Sequence, residues 1–177
     1  MIKKFLPFEE VVYHSKLNKE ELLARLNNEI EAEKSFGFGA KSFSYSKPYI
    51  GKIAYDRFEI KRAINYRNSF LPVIKGTIKN DLNGSKINVK MNLIDFVKVF
   101  MIVWLGGVSL GCIASTYSLF FRNNTNSETG FFMFVPFIML VFGIAMGSLG
   151  FKAESKKSIA DLEELLQAKI IQNNNSN

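Results

Sequence analysis

Two long apolar runs dominate the hydrophobic pattern of this chain. Val99–Phe121 and Phe131–Phe151 span 23 and 21 residues without a charged side chain, and the short polar segment 122–130 joins them. As helices, at about 1.5 Å per residue, each run reaches roughly 30–35 Å, which is enough to cross the hydrocarbon core of a bilayer. The pattern therefore predicts a transmembrane hairpin of two antiparallel helices.

A helical period precedes the spans. Leu22 and Leu26 recur at helical spacing, and Asn18 stands three residues before Glu21, which is the spacing of a helix capping box. We therefore expect an amphipathic helix over about residues 19–33.

From about residue 52 to residue 93 the period changes to two. Ile74 and Ile78 alternate with polar neighbours, and the dipeptide Asn83-Gly84 is typical of a tight hairpin. The pattern predicts an antiparallel meander of three or four strands with one apolar face and one basic face. The N-terminal helix is the expected cover of the apolar face.

Further elements are expected on either side of these. Phe8–Tyr13 is compatible with one more strand, and apolar spacing after the second span predicts an amphipathic helix over about residues 158–171. That helix either returns to the sheet or pairs with another copy. The expected class is an α+β membrane protein with a domain at 1–98, a hairpin at 99–151 and a tail at 152–177.

The charge distribution predicts the orientation of the hairpin. Residues 1–98 carry 18 Lys and Arg against 11 Asp and Glu, and the connecting segment offers a single Arg. By the positive-inside rule both termini lie in the cytosol and the segment 122–130 lies outside. We expect the domain to rest near the inner leaflet, with three lysines as candidate headgroup contacts: Lys86, Lys90 and Lys98.

Several kinds of chemistry have little support in this sequence. With one cysteine, Cys112, and one histidine, His14, Cys- and His-based metal sites and an intramolecular disulfide are excluded. Glu59 and Lys61 have the acid-x-Lys spacing of some nuclease metal sites, but strand alternation favours an ordinary solvated pair. We expect no cofactor, no metal and no enzymatic activity.

Arg62 is the most informative single residue of the predicted sheet, because it shares a face with Phe58 and Ile60. Such an arginine either snorkels to water, which we favour, or binds an acid, a carbonyl group or a headgroup phosphate. The turn that follows mixes aromatic and planar hydrogen-bonding groups. The candidate binding surface is therefore Arg62, Tyr66, Arg67 and Asn68.

Small residues recur every four positions in both apolar runs and allow close approach of helix backbones. They are Gly107, Gly111 and Ser115 in the first run and Gly143 and Gly147 in the second. We expect these faces to pack against each other within one hairpin, with contact between copies as the alternative.

The order of elements resembles a known group of proteins. A Phe-x-Ile-x-Arg strand at Phe58–Arg62, a Tyr-Arg-Asn-Ser-Phe turn at Tyr66–Phe70, an Asn-Gly hairpin and two spans resemble uncharacterised small bacterial two-span membrane proteins with a cytosolic strand-rich domain. The chain is also similar to bacterial proteins in which a pleckstrin-like domain adjoins two spans, although four or so strands are visible here against seven. The resemblance implies a bacterial inner membrane and no catalytic residues.

Together these features predict a non-enzymatic integral membrane protein whose cytosolic domain binds a protein partner or anionic lipid headgroups. Both a single copy and a homo-oligomer are compatible with the sequence. Basic residues are spread among acids, which disfavours nucleic acid. The alternative is an oligomeric channel or transporter accessory subunit, although the spans lack the ionisable residues usual in transporters. Its pore would be lined by Ser109, Ser115, Ser118 and Tyr117. A third hypothesis, a membrane-bound enzyme, requires an acidic cluster or a metal in the sheet.

Overall fold

The computed structural model of this chain describes four stretches of residues, 7–32, 45–66, 68–121 and 131–173. They form two compact units. The sheet unit takes in the described residues up to Ile94 together with those from Phe151 onward, and the hairpin unit is Asp95–Gly150. Each unit is described by itself below.

The described residues form seven strands and three helices, two of them long and apolar. In chain order they are β1 (Phe8–Ser15), α1 (Lys19–Glu29), β2 (Ile30–Glu31), β3 (Tyr49–Ala54), β4 (Arg57–Arg62), β5 (Val73–Asp81), β6 (Gly84–Asn92), α2 (Asp95–Phe121), α3 (Val135–Leu165) and β7 (Ala168–Asn173). The fold is α+β, as the hydrophobic pattern predicts.

All seven strands belong to one sheet, in the order β2-β3-β4-β5-β6-β1-β7. Strands β3 to β6 form the antiparallel meander expected from the period of two. Strand β1 pairs antiparallel with β6 on one side and with β7 on the other. The first and last strands of the described chain therefore lie side by side, and the sheet is larger than the three or four strands predicted.

The first helix confirms its predicted start and corrects its predicted end. The Asn18 side chain accepts a hydrogen bond from the Glu21 backbone N–H, and the Glu21 carboxylate accepts one from the Asn18 N–H, so the capping box is complete. The helix ends at Glu29 rather than near residue 33. Ile30 is extended and pairs in parallel with Tyr49, so a short strand replaces the last predicted turn.

The helix expected over about 158–171 also differs in the structure. Helix α3 runs without a break from the second apolar run to Leu165, and Ala168–Asn173 is a strand. Between them Gln167 has a φ of 45°, in the left-handed region that commonly ends a helix. The strand forms because β1 has an edge that β7 can pair with. Local periodicity does not reveal this edge, because β1 is distant in the sequence.

Two helices cover the apolar face of the sheet. Leu22 and Leu26 of α1 are fully buried, as predicted for the N-terminal helix. The part of α3 in the sheet unit buries Phe151 and Leu162 on the same face. The hydroxyl of Ser15 donates to the Leu166 carbonyl at 2.8 Å and ties the end of this segment to β1.

The hairpin unit consists of α2 and the first part of α3. Both helices are long and apolar enough to cross a membrane by length and composition. Of the most apolar window in each, 6% of the α2 residues and 17% of the α3 residues are buried within the structure. Most of their large apolar side chains, among them Ile102, Phe120 and Phe142, are exposed.

One glycine of the sheet tests the packing directly. Gly76 lies opposite Phe58, and a Cβ atom at Gly76 would overlap the Phe58 ring. We expect Gly76→Ala to lower the free energy of unfolding by about 1–3 kcal/mol, because the buried ring has to move. Thermal unfolding in a nonionic detergent measures this change.

The matched control is Gly107→Ala in α2, where an added Cβ meets nothing within 4 Å. Its unfolding midpoint should equal that of the unmodified protein or lie slightly above it. An unchanged midpoint for Gly76→Ala would show that the Phe58 ring is not packed as described.

Candidate functional site

Arg62 is paired with two carboxylates of α3. Its Nη1 lies 3.1 Å from Glu154 Oε2, and its Nε lies 3.0 Å from Asp161 Oδ2. The side chain is 23% exposed. Of the two interpretations open at the sequence level, snorkelling to water is wrong and pairing with an acid is right. The acids come from a segment about ninety residues later in the chain.

Glu154 is the centre of this cluster. Its residue is 4% exposed, and its second carboxylate oxygen accepts a hydrogen bond of 2.6 Å from the Tyr66 hydroxyl. Lys157 approaches the same oxygen at 3.7 Å. The hydrogen bond to Glu154 raises the pKa of Tyr66, since it favours the neutral phenol. These donors offset the cost of burying the Glu154 charge.

The predicted binding surface is therefore not one open patch. Arg62 and Tyr66 converge on Glu154 and hold α3 to the sheet. The Asn68 side chain accepts a hydrogen bond from the Phe70 backbone N–H at 2.9 Å and closes its own turn. Arg67 lies outside the described residues. That this segment binds another molecule stays a prediction.

The opposite face of the sheet is basic. Directly opposed residues of neighbouring strands share a face, and on this face Lys75 lies opposite Lys90 and Lys79 opposite Lys86. We call the basic face the set Lys52, Arg57, Lys75, Lys79, Lys86 and Lys90. The sequence predicts its polarity through strand alternation, but not which lysines become neighbours.

The basic face is only partly neutralised. Glu59 lies 3.4 Å from Lys75, and Glu10 lies 3.3 Å from Lys90. Lys79 and Lys86 make no ion pair with any residue in the described stretches. The face thus has two opposed lysine pairs and an excess of positive charge.

The basic face also contains a hollow of about 690 Å³. It is lined by Lys52, Ala54, Arg57, Phe58, Glu59, Lys75, Gly76, Thr77, Lys79, Asn88, Lys90 and Asn92. The lining contains five basic side chains and one acidic side chain, so the hollow is suited to anionic groups.

The three candidate headgroup contacts do not all lie together. Lys86 and Lys90 belong to the basic face. Lys98 belongs to the hairpin unit, where it forms an ion pair of 2.9 Å with Asp95 one helical turn earlier. The structure therefore groups two of the three and adds lysines of β5 to them.

A second concavity, of about 520 Å³, lies on the helix-covered side of the sheet unit. We call it the tyrosine cleft; its lining is Arg25, Asn28, Glu29, Pro48, Tyr49, Asp161, Glu164 and Leu165. Three segments distant in the chain contribute to it: α1, the start of β3 and the end of α3. No sequence motif predicts this cleft.

Two polar atoms of the tyrosine cleft are buried without a partner. The Tyr49 hydroxyl and the Arg25 Nε make no hydrogen bond within the described residues, and Tyr49 is 4% exposed. Burial raises the pKa of Tyr49 well above its usual range, and the Asp161 carboxylate acts in the same direction. The hydroxyl is therefore a neutral donor at physiological pH.

Two of the small residues of the hairpin unit lie against larger side chains of the other helix. The Trp104 ring lies against Gly143, and a Cβ atom at Gly143 would overlap the ring. A Cβ atom at Gly111 would be in van der Waals contact with Pro136. Gly107 has open space beside it. Gly147 is buried and Ser115 is half-buried.

In the part of the chain that the structure covers, no group of three or more His, Cys, Asp or Glu side chains is arranged to hold a metal ion. No protein-family model matches the sequence, and no curated protein and no solved structure matches it either.

The Glu154 cluster provides a stability test. Replacing Glu154 by Ala leaves Arg62 with one carboxylate and Tyr66 without an acceptor. We expect a loss of about 2–3 kcal/mol in the free energy of unfolding, because a buried ion-pair partner is removed. Asp161→Asn is the control: its side chain is 45% exposed, so the loss should stay below about 1 kcal/mol.

Urea unfolding of both variants in a nonionic detergent makes the comparison. Equal losses for the two variants would contradict the assignment of Glu154 as the centre of the cluster.

Proposed function

We propose that this protein is a non-enzymatic, two-span protein of the bacterial inner membrane whose sheet unit binds anionic lipid headgroups through the basic face. The observation that carries the proposal is the presence of two pairs of opposed lysines on an exposed sheet face, Lys75 with Lys90 and Lys79 with Lys86. A protein partner with an acidic surface is the competing occupant.

The exposure of the hairpin unit supports insertion in a membrane. A core helix of a soluble protein is apolar because it is buried, whereas α2 and α3 have few buried residues in their apolar windows. Neither helix lies at the N-terminus, as a signal sequence would. Contiguous apolar surface of this size is not tolerated in water, and lipid is the environment that accepts it.

The construction of the sheet unit supports an even number of crossings. Strand β7 follows the hairpin in the chain and pairs with β1, which precedes it. The two flanks of the hairpin therefore belong to one folded unit and lie on one side of the membrane. The excess of Lys and Arg in the flanks favours the cytosol as that side.

Opposed lysines favour an anionic ligand for a simple reason. Like charges directly across two strands destabilise a sheet by roughly 0.2–1 kcal/mol. A phosphate group placed between them replaces the repulsion by two attractions. A face with two such pairs and a hollow between its strands is expected to be most stable with anions bound.

The position of the sheet unit in the chain favours lipid as the source of those anions. Two residues, Leu93 and Ile94, separate β6 from α2. If α2 crosses the bilayer, this short connection keeps the sheet unit at a high effective concentration near the headgroups. Each lysine near an anionic leaflet contributes up to about 1 kcal/mol.

The channel hypothesis finds no comparable support. Successive residues of an α-helix are turned by about 100°. With this rotation, the four polar side chains of the hypothetical pore lining point to several sides of α2 and not to one: Ser109, Ser115, Ser118 and Tyr117.

Lipid selectivity tests the proposed function. We expect the full-length protein in a nonionic detergent to retain phosphatidylglycerol over phosphatidylcholine in native mass spectrometry, and to lose this preference at high salt. The double variant Lys79→Gln with Lys86→Gln should bind phosphatidylglycerol about tenfold more weakly, since two headgroup contacts are removed.

The control for this variant is Lys19→Gln with Lys156→Gln, which removes the same charge outside the basic face and should leave the preference intact.

The basic-face variant should also unfold at a slightly higher temperature, because it relieves the Lys79–Lys86 repulsion. Equal retention of both lipids, or equal loss in both double variants, would overturn the proposal. Salt-sensitive capture of an acidic protein by a chain that ignores lipid would favour the competing occupant.

Topology is tested by cysteine labelling in a Cys112→Ser background. We expect Leu82→Cys and Lys156→Cys, on either side of the hairpin, to react with a membrane-impermeant maleimide only after the cells are opened. Both positions are exposed in the sheet unit. Asn126→Cys, between the two spans, should react in intact cells. Different behaviour of Leu82→Cys and Lys156→Cys would contradict the two-span arrangement.

A further inference from the structure

The tyrosine cleft brings together two buried hydrogen-bond donors that have no partner among the described residues. A buried donor without an acceptor costs about 1–3 kcal/mol, and the large majority of buried polar groups in folded proteins are paired. Here two such donors, the Tyr49 hydroxyl and the Arg25 Nε, belong to residues that line the same cleft. Their coincidence points to an acceptor supplied by another molecule.

The charges of the tyrosine cleft restrict that molecule. Asp161 is already paired with Arg62. Glu29 and Glu164 make no ion pair among the described residues, so the cleft presents two free carboxylates beside one guanidinium. A simple anion would satisfy the donors and be repelled by these carboxylates. A simple cation would leave the donors without an acceptor.

We infer that the tyrosine cleft binds a small zwitterion, with its acid oxygens on Arg25 and Tyr49 and its ammonium group on Glu29 and Glu164. The volume of about 520 Å³ is ordinary for a small-molecule site. Two sources share this chemistry: a free amino acid or short peptide, and the ethanolamine phosphate headgroup of a lipid.

This inference is independent of the basic face. None of the residues that line the tyrosine cleft belongs to the basic face. Failure of either proposal therefore leaves the other standing, and variants of one site serve as controls for the other.

The experiment uses the full chain in a maltoside detergent, which carries neither an acid nor an amine. Isothermal titration compares glycylglycine and glycerophosphoethanolamine with acetate and ethylamine, which supply an acid group alone and an ammonium group alone. We expect saturable binding of a zwitterion at least about tenfold tighter than that of acetate or ethylamine. Preference for glycylglycine or for glycerophosphoethanolamine identifies the source.

Two variants and a matched control locate the binding. Tyr49→Phe removes only the orphaned hydroxyl and should weaken zwitterion binding about tenfold while leaving the fold intact. Arg25→Gln should weaken it similarly. Ser85→Ala is the control, because Ser85 also has a buried hydroxyl without a partner among the described residues but does not line the tyrosine cleft.

The outcomes separate cleanly. Binding that falls in Tyr49→Phe and Arg25→Gln and persists in Ser85→Ala supports the inference. No saturable binding of either zwitterion, binding of acetate or ethylamine at the same strength, or an equal loss in Ser85→Ala would overturn it. Unchanged far-ultraviolet circular dichroism in Tyr49→Phe shows that a loss of binding is not a loss of fold.

Discussion

The fold depends on the attachment of the segment after the second apolar helix to a sheet built before the first. Strand β7 completes the edge beside β1, and Glu154 accepts hydrogen bonds from Arg62 and Tyr66. Without this attachment, Arg62 would be a charge on the apolar face of the sheet, and the part of that face under α3 would lack a cover. The same attachment brings the two flanks of the hairpin into one unit, so it constrains any arrangement in a membrane.

The two faces of the sheet are suited to different interactions. The covered face is apolar, and the tyrosine cleft on it combines two buried donors with carboxylates that are partly or fully exposed. The basic face is solvated, and its lysine pairs weaken the sheet that carries them. Electrostatic attraction at the exposed face is screened by salt, whereas hydrogen bonds to the buried donors of the cleft are screened much less. A ligand at each face would thus respond differently to ionic strength.

The local pattern of apolar and polar residues was sufficient to predict much of the secondary structure of this chain. Two uncharged runs of more than twenty residues leave few alternatives to two long apolar helices. A period of two gave the meander from β3 to β6, and it separated buried positions such as Ile74 and Ile78 from the lysines between them. The Asn18 capping box marked the start of α1. Each of these signals lies within a few residues, where side-chain periodicity and backbone hydrogen bonding act directly.

The rest was decided by contacts between distant segments. The sequence alone determined the apolar helices, the meander and the basic character of one face, because these follow from neighbouring residues. Only the tertiary structure turned residues 168–173 into a strand, since an extended segment needs an open edge to pair with. Only the tertiary structure gave Arg62 its acids and left the Tyr49 hydroxyl and the Arg25 Nε without partners among the described residues. Such groups come from parts of the chain that are far apart. Burial increases the free-energy effect of each pairing and of each missing partner, because water no longer forms a substitute hydrogen bond.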